Sequence, residues 1–221
     1  MKKIEFPNSY FLMRDLNDLK RLKSFKNELD FILRFTNKKV AICDIGCSTG
    51  EFLEFIEWEG PRYGTEINKA AIKVAKSRSI SIITNLRFHR GKFDVVVMRG
   101  TIQHLTSPFE EISGAYNSLK RGGILFFLAT PNIDSAYYRF FGTLPALDFP
   151  RNYWLPGFKQ LKIVCEREGF KLLAIEYPYF KSGYAKWYDL IKIALKLFTR
   201  NKKLDAAFPR NMMNLAFEKT R

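Results

Sequence analysis

Apolar positions along the chain fall into two recurring patterns. The first is a short apolar-rich run: "VAICDI" at 40–45, "RYGTEI" at 62–67, "ISII" at 80–83, "FDVVVM" at 93–98 and "ILFFLA" at 124–129. These read as strands, and their continuous apolar character is what a parallel sheet covered by helices on both faces requires. The second pattern has helical spacing. Residues 9–35 place Leu12, Leu16, Leu19, Phe25, Leu29, Ile32 and Leu33 on one side of a helix or two. A helix follows from about Glu51. Another spans "NKAAIKVAKSR" at 68–78, with Asn68 as N-cap. A third covers 107–120, with Pro108 near its start and "RGG" at 121–123 ending it. Beyond residue 156 come a helix at 157–168, a strand at 170–177, a helical pattern at 184–200 and a last strand at 211–219. The alternation predicts an α/β fold in a single domain, 1–221. Residues 1–36 form an N-terminal helical lid, and 131–156 and 179–209 run over the rim.

Composition narrows this picture. A chain of 221 residues with 47% hydrophobic and 15% aromatic residues can bury a sizeable core, which argues against disorder. Cys43, Cys47 and Cys165 have no CxxC spacing, so neither a disulfide framework nor a zinc site follows, and a reducing compartment fits. The start, "MKKIEFPNSYFLMRDLND", lacks a continuous apolar core of the secretory kind, and no apolar run approaches the length of a membrane span. A cytoplasmic protein is the expectation. The formal charge of +15 admits nucleic acid, an anionic membrane surface, an anionic small substrate, or simply a solvated basic surface.

Candidate chemistry is concentrated in "CDIGCSTGEFLEFI", residues 43–56. An apolar strand carries Asp44, a loop of small residues runs from Gly46 to Gly50, and a helix begins at Glu51. Glycine lets the backbone bend sharply and approach a ligand, and the helix start presents unpaired N–H groups. Glu66 ends the second strand, where a carboxylate can accept two hydrogen bonds from ribose hydroxyls. The loop reads G-C-S-T-G and not G-x-G-x-x-G, which weakens a dinucleotide reading.

"CDIGCSTGEFL", "YGTEIN", "FDVVVMRGTIQHLTSP" and "LKRGGILFFLATPN", in that order, resemble the motifs of class I S-adenosylmethionine-dependent methyltransferases over roughly residues 38–178. The resemblance implies a Rossmann-like fold: a seven-stranded, mostly parallel sheet with its last strand antiparallel and helices on both faces. The cofactor it implies is S-adenosyl-L-methionine, leaving S-adenosyl-L-homocysteine as product. Mapped onto this chain, it assigns cofactor binding to Asp44, Gly46, Cys47, Ser48, Gly50, Glu66, Ile67, Asn85, Leu86 and Arg99. Asn85 is equally readable as an ordinary turn asparagine.

Of the two histidines, His104 follows the fourth strand, beside the expected methyl group, and is the candidate general base. His89 lies in a basic turn and is read as solvated. Some relatives hold a divalent metal with acids around this histidine. Gly100 and Gln103 stand there and offer no carboxylate, so no metal is expected. The Asn/Asp-Pro-Pro-aromatic motif of relatives that methylate the amino groups of adenine and glutamine is absent after the fourth strand, and oxygen is the expected acceptor atom. Aromatics between 134 and 158, interspersed with Arg139 and Arg151, suit a sugar, nucleotide or phosphorylated ligand, or else fill a core beneath a cap.

The leading expectation is a transferase acting on a small anionic acceptor. Similarity to enzymes of bacterial surface-polysaccharide and secondary-metabolite pathways points to a nucleotide sugar, a glycan residue or another phosphorylated capsule precursor. Spread-out basic residues and no visible RNA-binding motif disfavour nucleic acid, so an RNA methyltransferase is the alternative, and a non-catalytic binding protein the third reading. Residues 186–203 place Trp187, Leu190, Ile191, Ala194, Leu195 and Phe198 on one helical face, with Lys192, Lys196 and Arg200 on another. The commoner explanation is a helix packed on its own domain or on a second subunit of a homodimer. Peripheral contact with an anionic membrane is the less common one.

Overall fold

Each apolar run has to bury two faces, and the sheet shows how. In the computed structural model, which describes Pro7 and residues 18–179, 185–199 and 206–220, the strands are β1 (Ile42–Ile45), β2 (Arg62–Thr65), β3 (Ser81–Ile82), β4 (Phe93–Arg99), β5 (Leu119–Pro131), β6 (Phe170–Glu176) and β7 (Met212–Lys219). They form one seven-stranded sheet in the order β3-β2-β1-β4-β5-β7-β6. β7 runs antiparallel to both its neighbours, and every other pairing is parallel. The helices are α1 (Leu19–Ile32), α2 (Glu51–Phe55), α3 (Lys69–Ser77), α4 (Pro108–Ser118), α5 (Ala136–Phe141), α6 (Phe158–Glu168) and α7 (Asp189–Thr199).

Val95 and Val97 of β4 pack with Phe25, Phe31 and Ile32 of α1 and with Phe52 and Leu53 of α2. Val96 and Met98, pointing the other way, pack with Ile112 and Ala115 of α4 and with Leu161 and Cys165 of α6. Two apolar layers, one on each face, explain why β4 has no polar alternation. Asn68 caps α3 as expected, its side-chain oxygen accepting the N–H groups of Ala70 and Ala71 at 2.9 and 3.0 Å.

Three expectations are corrected. The helix at 107–120 stops at Ser118, and "RGG" does not end it. Leu119 already pairs with Phe93 in the sheet, the next pair is Val95 with Ile124, and Lys120–Gly123 bulge out between them. Gly122 turns that bulge at φ 74°, and Lys120 bonds Asp94 at 2.8 Å. Second, β2 stops at Thr65, because the carboxylate of Glu66 folds back onto the N–H groups of Ile67 and Asn68. Third, the helix expected from 184 begins at Asp189, and Lys196 points inward while Leu190, Ile191, Leu195 and Phe198 point outward. Leu12, Leu16 and Arg200 lie outside the described residues.

Candidate functional site

β1, β2 and β4 end side by side, with Ile45 level with Thr65 and Asp44 level with Val97. A cavity of about 330 Å³ opens at these C-terminal ends. Asp44, Gly46, Cys47, Ser48, Glu66, Ile67, Asn85, Leu86, Arg99 and His104 all line it. Gly50 is not in its wall. A Cβ on Gly50 would overlap the side chain of Ile80, so this residue, at φ 75°, starts α2 and packs against α3's far end.

The loop after β1 is stitched to β2. The Gly46 N–H donates to Thr65 Oγ1 at 3.1 Å, the Cys47 N–H to the Thr65 carbonyl at 2.9 Å, and the Ser48 N–H to Glu66 Oε2 at 3.0 Å. Gly46 sits at φ 72°, and an added Cβ would stand 2.5 Å from Thr101 Cγ2. Its smallness is therefore demanded by Thr101 beneath it as much as by any ligand above. Glu66 accepts three backbone N–H groups with two oxygens: Ser48 on one, Ile67 and Asn68 on the other. A carboxylate offers about four acceptor sites, so capacity for a ligand hydroxyl remains.

Asp44 lies at the cavity floor with Oδ1 buried and without a hydrogen-bond partner. Burial pushes its carboxyl up to about 8; Arg99 opposes that, while Glu28 and Glu66 add to it. An orphaned, desolvated acid beside a loop of backbone amides matches the cationic amino-acid part of S-adenosylmethionine. Glu66 then suits its ribose, and Asn85 with Leu86 suits its adenine. Asn85 meanwhile caps the short turn Leu86–Phe88, its side-chain oxygen accepting the Arg87 N–H at 2.9 Å.

One wall comes from α1, which the motif reading missed. Arg99 forms a two-pronged bond with Glu28, at 2.5 and 3.1 Å, and lies over the Phe25 ring at 4.4 Å. Burial raises the Glu28 carboxyl, and the Arg99 fork pulls it back. Arg21 pairs with Glu51 of α2. The signal was present: Arg21, Phe25, Glu28 and Ile32 recur at helical spacing, which sets an acid inside an apolar stripe.

His104 is half-buried in the cavity wall, in the turn Ile102–His104. Its Nδ1 lies 2.9 Å from the carbonyl oxygen of Arg151. A carbonyl can only accept, so Nδ1 carries a proton, and in the neutral ring Nε2 then carries the lone pair. Nε2 lies 3.3 Å from the amide nitrogen of Gln103, which also donates to the Gly100 carbonyl at 2.9 Å. The segment at 148–154 is clasped to this turn, since the N–H groups of Tyr153 and Trp154 both reach the Gln103 carbonyl, at 2.9 and 3.3 Å. Arg151 and Tyr153 thereby join the cavity wall. His89 is outside the cavity and half-buried against the Phe93 ring, 6.1 Å between centroids, and not in open solvent. Of the aromatics at 134–158, Tyr137 is core, whereas Phe140 and Phe149 are exposed. Burial raises all three cysteine thiols, so none is a ready nucleophile.

Among known proteins, residues 17–175 match the family model described as "Methyltransferase domain". The tRNA U34 carboxymethyltransferase of Campylobacter jejuni subsp. jejuni serotype O:2 is 26% identical over 165 residues, 68% of this chain and 53% of that protein. The protein of the same name from Helicobacter acinonychis is 27% identical over 151 residues, 60% of this chain and 56% of that one. This chain thus spans about half the length of the curated relatives it matches. A SAM-dependent methyltransferase from Archaeoglobus fulgidus superposes with a TM-score of 0.66 at 20% identity, covering 95% of this chain and 99% of that one. Strand order, the single antiparallel strand and a family match across most of the sheet agree. The chain belongs to the family of class I S-adenosylmethionine-dependent methyltransferase domains.

Proposed function

We propose that this protein moves a methyl group from S-adenosylmethionine to an oxygen of a small anionic acceptor, with His104 as base and without a metal. The observation that carries the reading is the orientation of His104. Its Nδ1–H is spent on the Arg151 carbonyl, so Nε2 is the basic nitrogen, in the wall of the cavity that also holds Asp44 and Glu66. The cofactor, when bound, supplies an electrophilic methyl on a sulfonium. The chain then has to position the acceptor and take its proton. The clasp to Arg151 fixes the imidazole ring, which lowers the entropy cost of that proton transfer, and the acceptor hydroxyl has to displace the Gln103 N–H, 3.3 Å away, from the Nε2 lone pair.

Two observations support an anionic acceptor of limited size. Arg151 and Tyr153 line the cavity beside His104, with the Arg151 guanidinium shared with Asp148 at 2.8 Å. The formal charge of +15 favours attraction of phosphate-bearing molecules. A nucleotide sugar, a glycan residue or another phosphorylated precursor of a bacterial capsule or surface polysaccharide fits this chemistry. A second reading, methylation of RNA, is favoured by one observation: the curated relatives are named for action on tRNA.

The test is transfer of labelled methyl from S-adenosylmethionine to lysate fractions holding nucleotide sugars, glycans, RNA or protein. Label in the RNA fraction alone overturns the small-acceptor reading. With the acceptor in hand, His104→Ala should lower turnover by roughly 10²–10⁴-fold, with cofactor affinity little changed. A small loss with intact binding means that the acceptor oxygen is already ionised. Loss of cofactor binding removes His104 from the role of base.

A further inference from the structure

Helix α7 is amphipathic in the inverted sense. Its buried side chains are the polar ones, Asp189 and Lys196. Lys196 Nζ donates to the Tyr137 hydroxyl at 2.8 Å and lies against the rings of Tyr137 and Phe141, 5.1 and 5.0 Å from their centroids. Asp189 accepts the Lys186 backbone N–H at 2.7 Å and the Tyr179 hydroxyl at 3.3 Å. These contacts fix the roll of the helix. The opposite arc therefore faces outward: Trp187, Leu190, Ile191, Leu195, Leu197 and Phe198 are between 48% and 88% exposed. A patch of that size on one helix face marks an interaction surface.

Charge identifies the occupant. The edge of the arc is basic and aromatic, with Lys186 and Lys192 each against the Tyr188 ring, at 5.3 and 5.1 Å, and Trp187 stacked edge-on to Tyr188. The only acid of the segment 185–199, Asp189, points inward. In sequence the helix is followed by Arg200, Lys202 and Lys203. A second copy would bring lysines against lysines on chains of formal charge +15 each. Anionic headgroups neutralise the same edge while acyl chains take the apolar arc, and Trp and Tyr suit the boundary between them. Among the described residues no helix is long and apolar enough to cross a membrane, so contact is along the surface.

We propose that α7 lies in the plane of an anionic lipid surface, with Leu190, Ile191, Leu195 and Phe198 in the headgroup–acyl boundary and Lys186 and Lys192 at phosphate level. The test is co-sedimentation of the whole protein with vesicles of phosphatidylcholine alone or mixed with phosphatidylglycerol. Binding is expected only to the mixed vesicles, falling as salt is raised. Leu190→Ser and Phe198→Ser, both at exposed positions, should each keep the far-ultraviolet spectrum, and together should lower the partition coefficient by about tenfold or more. No binding to mixed vesicles at low salt overturns the proposal. So does binding that survives both substitutions, since charge alone then accounts for it. A stable dimer in solution that the same substitutions dissociate also overturns it, assigning the face to a second copy.

Discussion

Helix α1 turns Phe25, Phe31 and Ile32 onto the sheet and holds Glu28 among them, whereas α7 turns Asp189 and Lys196 inward and leaves its leucines, isoleucine and Phe198 outside. Both segments have helical periodicity in the sequence, and periodicity alone assigns the apolar side to the core in each. What differs is the partner found by the buried polar group. Glu28 meets Arg99, which stands at the end of β4, so the charge and the apolar stripe are satisfied on the same side. Lys196 meets the Tyr137 hydroxyl on the short helix α5, and the apolar arc is rolled outward. Lys196 on the inner side needs the Tyr137 hydroxyl and the Tyr137 and Phe141 rings beside it, and the apolar arc left outside needs a cover of its own.

Arg99 and Phe25 hold the inward face of α1. Arg99→Met leaves the Glu28 carboxylate buried without its fork and should cost about 3–5 kcal/mol in urea unfolding at neutral pH. The loss should shrink in acid, where Glu28 is neutral and needs no partner. Phe25 is fully buried, 5.4 and 5.5 Å from the rings of Phe52 and Phe55, and Phe25→Ala should cost about 3–5 kcal/mol. A loss below about 1 kcal/mol in either variant would mean that α1 is a detachable lid and not a wall of the site.

How far the sequence reveals all this depends on the range of each interaction. The strands, the loop at 46–50 and Glu66 at a strand end were legible, because burial on both faces leaves a continuous apolar run and a strand-end acid is a local feature. The Glu28–Arg99 pair spans 71 residues and leaves no short-range mark beyond an acid in an apolar stripe. The hold on His104 comes from a backbone carbonyl 47 residues away, and a carbonyl has no signature in sequence. The bulge at Lys120–Gly123 mimicked a helix end, since glycine serves a left-handed turn equally in both settings. The roll of α7 needed knowledge of Tyr137, which only folding brings beside it.

Asp44 is coupled to α1 through Glu28. Its carboxyl ionises near 4 in an unfolded chain and at about 8 in the fold, chiefly through burial, with Glu28 of α1 adding to the rise. Between those values the folded chain binds the extra proton. This group's contribution to stability is therefore complete below about 4 and is lost as pH rises to about 8. A cationic ligand beside Asp44 favours the carboxylate, so S-adenosylmethionine binding should release a proton below that value. Affinity should then rise by up to about tenfold per pH unit toward 8, read by calorimetry in buffers of different ionisation heat. Asp44→Asn should abolish the slope. Glu28→Gln should move its upper end to lower pH, and Asp189→Asn on α7 should leave it in place. An unchanged slope in Glu28→Gln would sever α1 from the electrostatics of the site.

The smallest expected effect tests the other helix. Phe198→Ala is the same chemical change as Phe25→Ala, made where the ring is 88% exposed. The ring meets water in both the folded and the unfolded chain, so little transfer free energy is at stake and no cavity forms. Alanine is also the better helix former, by a few tenths of a kcal/mol, which acts in the stabilising direction. The two terms together keep the change in unfolding free energy within about 0.5 kcal/mol of zero. Measured without lipid, a loss above about 1.5 kcal/mol would show that something in solution covers the ring. If that loss grew with protein concentration, the cover would be a second copy; if it did not, the cover would be the chain itself. In either case α7 would share the inward habit of α1, and the contrast between the two helices would vanish.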